Sequence, residues 1–165
     1  MGSSFDVFNW PMFQRDLTRT GYSPSPSPTT NNVIWTKTLL YEPSISSQTV
    51  ALSDKVYACS YSGQIYCLNA YNGQEIWMYD TDLGTISSNP SVIDGKLYVG
   101  VSYPGAVTGP DILCLDANTG ECIWDYETGS DCKSTPVVTY DGKAYFGCDD
   151  GKLSVSYTHL RAHET

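Results

Sequence analysis

Two stretches of the chain, Ala70-Tyr-Asn-Gly-Gln-Glu-Ile-Trp77 and Ala117-Asn-Thr-Gly-Glu-Cys-Ile-Trp124, share the pattern Ala-x-x-Gly-x-x-Ile-Trp. Each follows a short apolar run, Ile65-Tyr-Cys-Leu-Asn in the first case and Ile112-Leu-Cys-Leu-Asp in the second. The Trp and the Cys therefore both recur after 47 residues, from 77 to 124 and from 67 to 114. Elements that return in a fixed order at a fixed distance are typical of repeat architectures.

A third element, a Lys followed by an apolar residue and a Tyr, extends the repeat in both directions. Asp94-Gly95 and Asp141-Gly142 precede two of its copies and are strong hairpin signals, because Gly adopts positive φ without steric cost. The element consists of a Lys, an apolar residue and a Tyr, and its Tyr follows a Trp by 21 or 22 residues: Lys55-Val-Tyr after Trp35, Lys96-Leu-Tyr after Trp77 and Lys143-Ala-Tyr after Trp124.

Each repeat unit is predicted to contain four short strands, which in the second unit lie at roughly 88–93, 97–102, 112–117 and 122–127. A period of about 40–50 residues with four strands per unit is typical of a β-propeller blade. One four-stranded sheet cannot cover both of its faces, so neighbouring units must pack against it. The predicted fold class is therefore all-β, a partial β-propeller of about 2.5 four-stranded antiparallel blades.

The units lie within residues 31–154, and the flanking parts of the chain differ from them. Residues 1–30 are predicted to form a pre-propeller segment that ends in an extended Ser/Pro linker, Ser23-Pro-Ser-Pro-Ser-Pro28. Residues 155–165 are similar to the in-frame translation of a sequencing-library adapter and are predicted to be a non-native tail; the alternative is a genuine polar terminus. Both histidines, His159 and His163, lie in this tail.

The charge of the chain excludes several classes of partner. The 165 residues carry a net charge of -9, and the sequence pI is about 4.4. Nucleic acid binding and adhesion to an anionic membrane both require clustered Lys and Arg, so neither is predicted. No run of about 18 consecutive apolar residues is present, so no membrane insertion is predicted either.

The cysteines allow two interpretations. Cys59 and Cys67, like Cys114 and Cys122, are eight residues apart and flank a predicted turn, so a cross-strand disulfide is possible in an oxidising compartment. Alternatively, each Cys fills a small buried site. A zinc ribbon or a thioredoxin-like motif is excluded because no CxxC spacing occurs among the six cysteines, Cys59, Cys67, Cys114, Cys122, Cys132 and Cys148.

No group of residues in the repeats predicts a catalytic or metal site. The segment Asp149-Asp150-Gly151-Lys152 lacks the spaced ligands of a calcium loop and stands where Tyr61-Ser-Gly-Gln64 stands in the first unit, so a turn is predicted. Nucleophile arrangements that need His are absent outside the tail. Four carboxylates follow the Trp residues at repeated positions and are predicted to be solvated strand ends rather than acid–base pairs: Asp80, Asp82, Asp125 and Glu127.

At the two Trp stretches the sequence resembles the pyrroloquinoline-quinone-type (PQQ-like) β-propeller repeat family. The spacing Ala-x-x-Gly-x-x-x-Trp is similar to the tryptophan-docking motif of that family. A Trp buries a large area and Gly lets its ring approach the backbone closely, so both Trp side chains are expected to be buried. The resemblance implies docking contacts between adjacent blades for six residues: Ala70, Gly73, Trp77, Ala117, Gly120 and Trp124.

The resemblance does not by itself imply a cofactor. The quinone-dependent dehydrogenases of this superfamily add a catalytic Asp, a calcium site, an Arg near the quinone and often a disulfide between adjacent cysteines. Here the arginines are Arg15, Arg19 and Arg161, all outside the repeats, and no two cysteines are adjacent. No cofactor is therefore predicted for residues 31–154.

The predicted function is a non-enzymatic scaffold or binding module of an extracellular, cell-surface or periplasmic protein, in contact with an unknown protein or carbohydrate. The extended hairpin between Val101 and Ile112 is predicted to lie on the binding face, with exposed Tyr61 and Tyr103. One alternative is a fragment of a quinone-dependent dehydrogenase whose active site lies in further blades. Another is an envelope scaffold like the propeller lipoprotein of the barrel-assembly machinery.

The number of units predicts an open arc. Propellers typically close with about 4–8 blades, and closure removes most exposed strand edges. We therefore expect the chain to rely on remaining blades for closure and to self-associate through its open edges when these are absent. Residues 155–165 are expected to be unpacked or in spurious contact.

Overall fold

The computed structural model describes residues 29–39, 49–82, 84–105, 108–139 and 141–157, together with Pro11 and Tyr22. Within these residues the chain forms eleven strands and no helix. The predictions for the remainder of the N-terminal segment, for the Ser/Pro linker and for residues 158–165 lie outside the described residues.

The strands form three antiparallel sheets in chain order, in each of which neighbouring strands are consecutive in sequence. Sheet 1 contains β1 (Val50–Leu52), β2 (Lys55–Cys59), β3 (Gln64–Asn69) and β4 (Glu75–Asp80). Sheet 2 contains β5 (Ser91–Ile93), β6 (Lys96–Gly100), β7 (Ile112–Asp116) and β8 (Cys122–Tyr126). Sheet 3 contains β9 (Val137–Val138), β10 (Lys143–Gly147) and β11 (Leu153–Tyr157).

The predicted hairpin signal produces the expected turn. Ile93 pairs with Lys96, so only Asp94 and Gly95 connect β5 to β6. Both have positive φ, 47° and 72°, which matches the right-handed twist of the flanking strands. The all-β fold and the four strands predicted for the second unit are confirmed.

The 47-residue repeat appears in the structure as a row of three side chains across each full sheet. In sheet 1, Cys67 lies opposite Tyr57 on one side and Trp77 on the other. In sheet 2 the corresponding row is Tyr98, Cys114 and Trp124, and in both sheets a bulge follows the Cys. Sheets 1 and 2 are therefore equivalent in register as well as in sequence.

The sheets pack face to face like consecutive blades, and the first strands of neighbouring sheets contact each other. One core fills the space between sheets 1 and 2 and includes Ile65 and Leu113, both of which are fully buried. A second core between sheets 2 and 3 includes Phe146. At the inner edge of sheet 2, the Val92 backbone N–H donates a hydrogen bond to the Pro11 carbonyl oxygen at 2.8 Å.

Of residues 155–165, the first three are packed in a strand rather than unpacked. Strand β11 runs to Tyr157, and Val155 lies opposite Tyr145 in the ladder with β10. The ladder is made by backbone groups, and Val and Tyr favour strands, so the polar residues between them do not interrupt it. The adapter origin of residues 155–165 stays a prediction.

Across the part of the chain that the structure describes, no helix is long and apolar enough to cross a membrane.

Candidate functional site

Trp77 contacts the neighbouring sheet rather than the Ala and Gly of its own unit. Its indole Nε1 donates a hydrogen bond to the Ala117 carbonyl oxygen at 3.1 Å, and the side chain is only 8% exposed. Its ring lies directly against Gly120, where an added Cβ would come within 2.7 Å of ring atoms Cδ2 and Cε3. The structure therefore brings Trp77 together with Ala117 and Gly120.

Tyr57 completes this contact. Its hydroxyl donates to the same Ala117 oxygen at 3.0 Å, and its ring centroid lies 6.0 Å from that of Trp77. Burial, followed by the nearby Cys67, raises the pKa of Tyr57 far above its usual range, so the phenol stays protonated and remains a donor. Since the Ala117 N–H donates to the Gly95 oxygen at 2.8 Å, both backbone groups of Ala117 are satisfied.

Ala70 and Gly73 are contacted by a different tryptophan, Trp35. The Trp35 Nε1 donates to the Ala70 oxygen at 2.9 Å, and a Cβ at Gly73 would lie 2.6 Å from the Trp35 ring. The spacing of Trp35 to Tyr57 is visible in the sequence, but it did not lead to a predicted partner for Trp35. That spacing was the available signal, because it equals the spacing from the docked Trp77 to Tyr98 to within one residue.

Trp124 differs from Trp77, and the expectation that it is buried is wrong. It is half-buried and packs on Tyr98, with ring centroids 6.2 Å apart. Counted from Val155, which lies opposite Tyr145, the positions that correspond to the docking Ala and Gly are Thr158 and Arg161. Both are larger than the residues that Trp77 meets.

Tyr98 likewise differs from Tyr57, its equivalent in sheet 1. Its hydroxyl is buried and has no hydrogen-bond partner among the described residues, whereas the equivalent Tyr57 hydroxyl has Ala117. The docking role of the six motif residues stays a prediction.

The cross-strand disulfides that the cysteine spacing left possible do not form. Cys67 lies opposite Tyr57 and Cys59 lies opposite Ile65, so the two cysteines are diagonal neighbours rather than a facing pair. Cys122 likewise lies opposite Leu115 and not opposite Cys114. All four remain thiols, and three of them are buried, as the alternative interpretation expects. Burial raises the pKa of Cys67 to about 11 and of Cys114 to about 12.

A disulfide instead joins Cys132, in the connection from β8 to β9, to Cys148, directly after β10. The two residues are 16 apart in sequence, and no repeated spacing distinguishes them. Cys132 also lies close to sheet 2, since a Cβ at Gly100 would come within 2.0 Å of its carbonyl oxygen. The disulfide thus fixes sheet 3 to a connection that is packed on sheet 2.

The connection between β6 and β7 and the neighbouring residues 127–131 form a polar surface, which we call the loop face. Asp111 anchors it: the carboxylate is 5% exposed and accepts hydrogen bonds from the Thr128 N–H, the Thr128 hydroxyl and the Gly129 N–H at 2.7–3.0 Å. The Tyr103 N–H donates to Asp131 at 3.2 Å. Part-buried hydrogen bonds thus anchor the two described ends of the connection, at Tyr103 and at Asp111.

Tyr103 is less exposed than the sequence predicts. Its ring packs over Gly109 and its hydroxyl donates to the Thr81 oxygen at 3.3 Å, so the side chain is half-buried. Burial raises the pKa of Tyr103 above its usual value. Tyr61 is exposed, as expected.

A cavity of about 280 Å³ opens on the loop face. Lys133 lies beside it and bridges Asp131 and Asp149 at 2.9 and 2.6 Å, which raises the pKa of Lys133 through these two hydrogen bonds. No set of three or more His, Cys, Asp or Glu within the described ranges is placed to hold a metal ion. The residues that line the cavity include Tyr103, Thr108, Asp111, Glu127, Asp131 and Asp149.

The other candidate residues lie in a turn or are exposed to solvent. Asp149 and Asp150 lie in the turn between β10 and β11, where the Lys152 N–H donates to Asp150 at 2.9 Å. The four carboxylates that follow the Trp residues are all exposed: Asp80, Asp82, Asp125 and Glu127.

The sequence of residues 25–158 matches a family model described as the outer membrane protein assembly factor BamB. The match includes all eleven strands and both Trp stretches. The chain belongs to this family. Membership of the BamB family confirms the resemblance to PQQ-like propeller repeats, although no curated protein matches the chain.

Solved structures agree with the BamB family fold. BamB from Moraxella catarrhalis is 25% identical with a TM-score of 0.58, over 73% of this chain and 35% of that protein. The quinohemoprotein alcohol dehydrogenase ADHIIG from Pseudomonas putida HK5 is 21% identical with a TM-score of 0.74, over 92% of this chain and 25% of that protein. The quinohemoprotein alcohol dehydrogenase from Comamonas testosteroni is 17% identical with a TM-score of 0.66, over 85% and 35%.

The two dehydrogenases show the fold alone, because their identity to this chain is low. The chain spans between 25% and 35% of the length of these three proteins. Its three sheets are therefore equivalent to part of each of those proteins.

Proposed function

We propose that the chain is part of a non-enzymatic propeller scaffold and that its loop face binds a protein partner. Proteins of the matching family are described as outer membrane protein assembly factors, which supports a role among envelope proteins. A rigid stack of sheets that carries one longer connection suits such a role, because binding residues are most often on loops held by a rigid frame.

The observation that carries this proposal is the anchoring of the loop face by Asp111. A carboxylate that is almost fully buried must have its hydrogen bonds satisfied, and here three donors from residues 128 and 129 do so. The described end of the connection at Asp111 is therefore held in place before a partner arrives, and less conformational entropy is lost there on binding.

The charge of the loop face indicates the chemistry of the partner. The carboxylates of Asp111 and Asp131 accept hydrogen bonds from nearby residues. Glu127 is exposed at the cavity, and its charge is negative like the net charge of the chain. An acidic rim beside an aromatic ring suits a segment that bears Lys or Arg, since complementary charge increases both the rate and the specificity of association.

The disulfide supports a location outside the cytoplasm. Disulfides form and persist in secreted, cell-surface and periplasmic proteins and are rare in the cytosol. We propose one of these oxidising locations for the protein that contains Cys132 and Cys148.

Photo-crosslinking in the source cells tests the proposal. A photoreactive amino acid at Thr108, which is exposed at the cavity, is expected to form one protein adduct, and Glu127→Gln is expected to reduce it. Thr119 is a matched control position, because it is exposed in the turn at the opposite end of sheet 2. Equal adducts from both positions, or adducts with carbohydrate only, contradict a protein partner at the loop face.

The quinone-dependent alternative draws on the fold likeness to the two dehydrogenases. The described residues do not fit the quinone site of such dehydrogenases, because they contain no Arg or His and hold no group of three residues suited to a metal. An ultraviolet–visible titration of the chain with pyrroloquinoline quinone and calcium tests this directly, and stoichiometric calcium-dependent binding in the micromolar range supports the alternative.

A further inference from the structure

The disulfide between Cys132 and Cys148 lies next to the loop face. Asp131 directly precedes Cys132, and Asp149 directly follows Cys148. The Asp149 N–H donates a hydrogen bond to the Asp131 carbonyl oxygen at 2.8 Å, and Lys133 bridges the two carboxylates. Since both Asp residues line the cavity, the disulfide holds two parts of the cavity wall together.

The disulfide also contacts the residues that anchor the loop face. The Thr128 hydroxyl lies 3.7 Å from Cys132 Sγ and donates to the buried Asp111 carboxylate at 2.9 Å. The Cys132 N–H donates to the Val101 carbonyl oxygen at 3.3 Å, at the start of the extended connection. One end of the disulfide is thus part of the loop face, and the other end belongs to sheet 3.

The two cysteines differ in their freedom to move. Cys132 is fully buried, and its carbonyl oxygen lies against Gly100. Cys148 is half-buried and begins the turn between β10 and β11. When the covalent bond is broken, the two sulfur atoms separate to a non-bonded contact. Because Cys132 is enclosed, the displacement falls on the turn that carries Asp149.

Other contacts hold sheet 3 to sheet 2 without the disulfide. The Ser91 hydroxyl donates to the Pro136 carbonyl oxygen, and the Asn89 amide donates to the Thr135 hydroxyl, both at 2.9 Å. The core that includes Phe146 lies between the same two sheets. Loss of the disulfide therefore releases the turn and its carboxylate locally and leaves the packing of the sheets in place.

We propose that the disulfide is a redox control of the loop face. In the oxidised chain Asp131 and Asp149 are held side by side at the cavity, and the Asp131 carboxylate accepts the Tyr103 N–H. Reduction separates the two carboxylates and loosens the hydrogen bond to Tyr103. Binding of a partner segment that bears Lys or Arg is thereby weakened, a step that rests on the proposed function of the loop face.

The reaction requires a dithiol as the reductant. One thiolate of the dithiol attacks the sulfur of Cys148, the more exposed of the two residues, and the Cys132 sulfur leaves and takes a proton from solvent. The second thiol of the reductant then attacks the mixed disulfide and releases the Cys148 thiol. The dithiol gives up two electrons and ends as a disulfide, while the protein gains two thiols.

Amide hydrogen exchange tests the control without a partner. In the full 165-residue chain, dithiothreitol is expected to speed exchange of the Tyr103 and Asp149 N–H groups by at least about tenfold, since both donate to Asp131. The N–H groups of Asn118 and Thr119 are the matched control, because they also donate to an Asp carboxylate but lie at the opposite end of sheet 2. Unchanged exchange at Tyr103, or equal acceleration at both places, contradicts a local redox control.

Photo-crosslinking from Thr108 tests the effect on the partner. The double variant Cys132→Ser/Cys148→Ser is expected to give an adduct yield at least about fivefold below that of the unsubstituted chain. Cys122→Ser is the matched control, because Cys122 is an exposed thiol outside the disulfide, and its yield is expected to be unchanged. Equal yields from the double variant and the unsubstituted chain contradict the redox control. If the unsubstituted chain forms no adduct, the proposed partner is contradicted instead, and hydrogen exchange still decides whether the disulfide controls the loop face.

Discussion

The indole nitrogen of Trp77 donates a hydrogen bond to the carbonyl oxygen of Ala117, 40 residues further along the chain and in the next sheet. Because Gly120 has no side chain, the ring can approach closely the turn that carries this oxygen. The contact combines the burial of a large apolar ring with a directional hydrogen bond. Both are needed to fix the orientation of one sheet on the next.

Replacement of Trp77 by Ala is expected to lower the free energy of unfolding by about 3–5 kcal/mol, since a large buried side chain and its hydrogen bond are lost. Trp124→Ala is the matched control and is expected to cost only about 1–2 kcal/mol, because its ring is half-exposed. Urea unfolding followed by circular dichroism at one fixed protein concentration measures both. Equal losses contradict the assignment of Trp77 as the docked residue.

Gly120→Ala is expected to destabilise the protein by about 1–3 kcal/mol more than Gly95→Ala does. Both glycines have positive φ, 77° and 72°, so Ala causes similar backbone strain at each, on the order of 1 kcal/mol. Only at Gly120 does the added Cβ meet the Trp77 ring, whereas at Gly95 nothing lies within 4 Å. The difference between the two melting curves isolates the steric part, and its absence contradicts the close approach.

Thiol titration is expected to count four thiols in the unfolded, unreduced chain and six after reduction, because one disulfide joins two of the six cysteines. In the folded chain at neutral pH, Cys122 is expected to react first because it is exposed. Burial keeps Cys67 and Cys114 protonated and unreactive.

Loss of the disulfide is expected to cost about 3 kcal/mol, the value for a closed loop of about 15 residues. Cys132→Ser with Cys148→Ser provides the measurement. Six reactive thiols in the unreduced chain contradict the pairing.

A pH dependence is expected at the turn between β7 and β8. The Asp116 carboxylate accepts hydrogen bonds from the Thr119 and Asn118 N–H groups, which lowers its pKa in the folded state. The carboxylate therefore stabilises the fold when ionised. This contribution is complete above the unfolded pKa of about 4 and is lost as the pH falls through the lower, folded pKa.

The first sheet provides the control for this prediction. Asn69 accepts the same pair of backbone hydrogen bonds in the corresponding turn but does not ionise. Asp116→Asn is therefore expected to keep the turn and flatten the acid limb of stability, and Asn69→Asp to steepen it. Stability measured between about pH 2 and pH 6 checks both, and an unchanged acid limb in both variants contradicts the assignment.

The fold could be predicted because its determinants are local and repeated. Asp94-Gly95 specifies a turn through backbone geometry, and the Trp, Cys and Tyr positions recur with the period of the sheets. The disulfide could not be predicted in this way. It joins a connection to a strand end, and the proximity of Cys132 to Cys148 depends on how sheet 3 packs against sheet 2.

For the loop face, the sequence predicted the position of the extended connection but not its contacts. The extra residues between Val101 and Ile112 mark an extended connection, but their sequence does not reveal that Asp111 is turned inward to cap residues 128 and 129. Nor does it reveal that Tyr103 folds back onto Gly109. Both depend on long-range contacts between loops, and no period in the sequence encodes them.

The bond between Trp77 and Ala117 ends on a main-chain oxygen, and so does the bond from Tyr57. A duplicated unit therefore carries both sides of the contact. It has the Trp ring on its last strand, and it has the main-chain oxygen and Gly on which the Trp of the preceding unit packs. No compensating change on a neighbour has to arise in parallel. Duplication, loss and exchange of whole units can accordingly proceed while the stacking is preserved, and residues in the connections that do not receive a Trp remain free to diverge toward new partners.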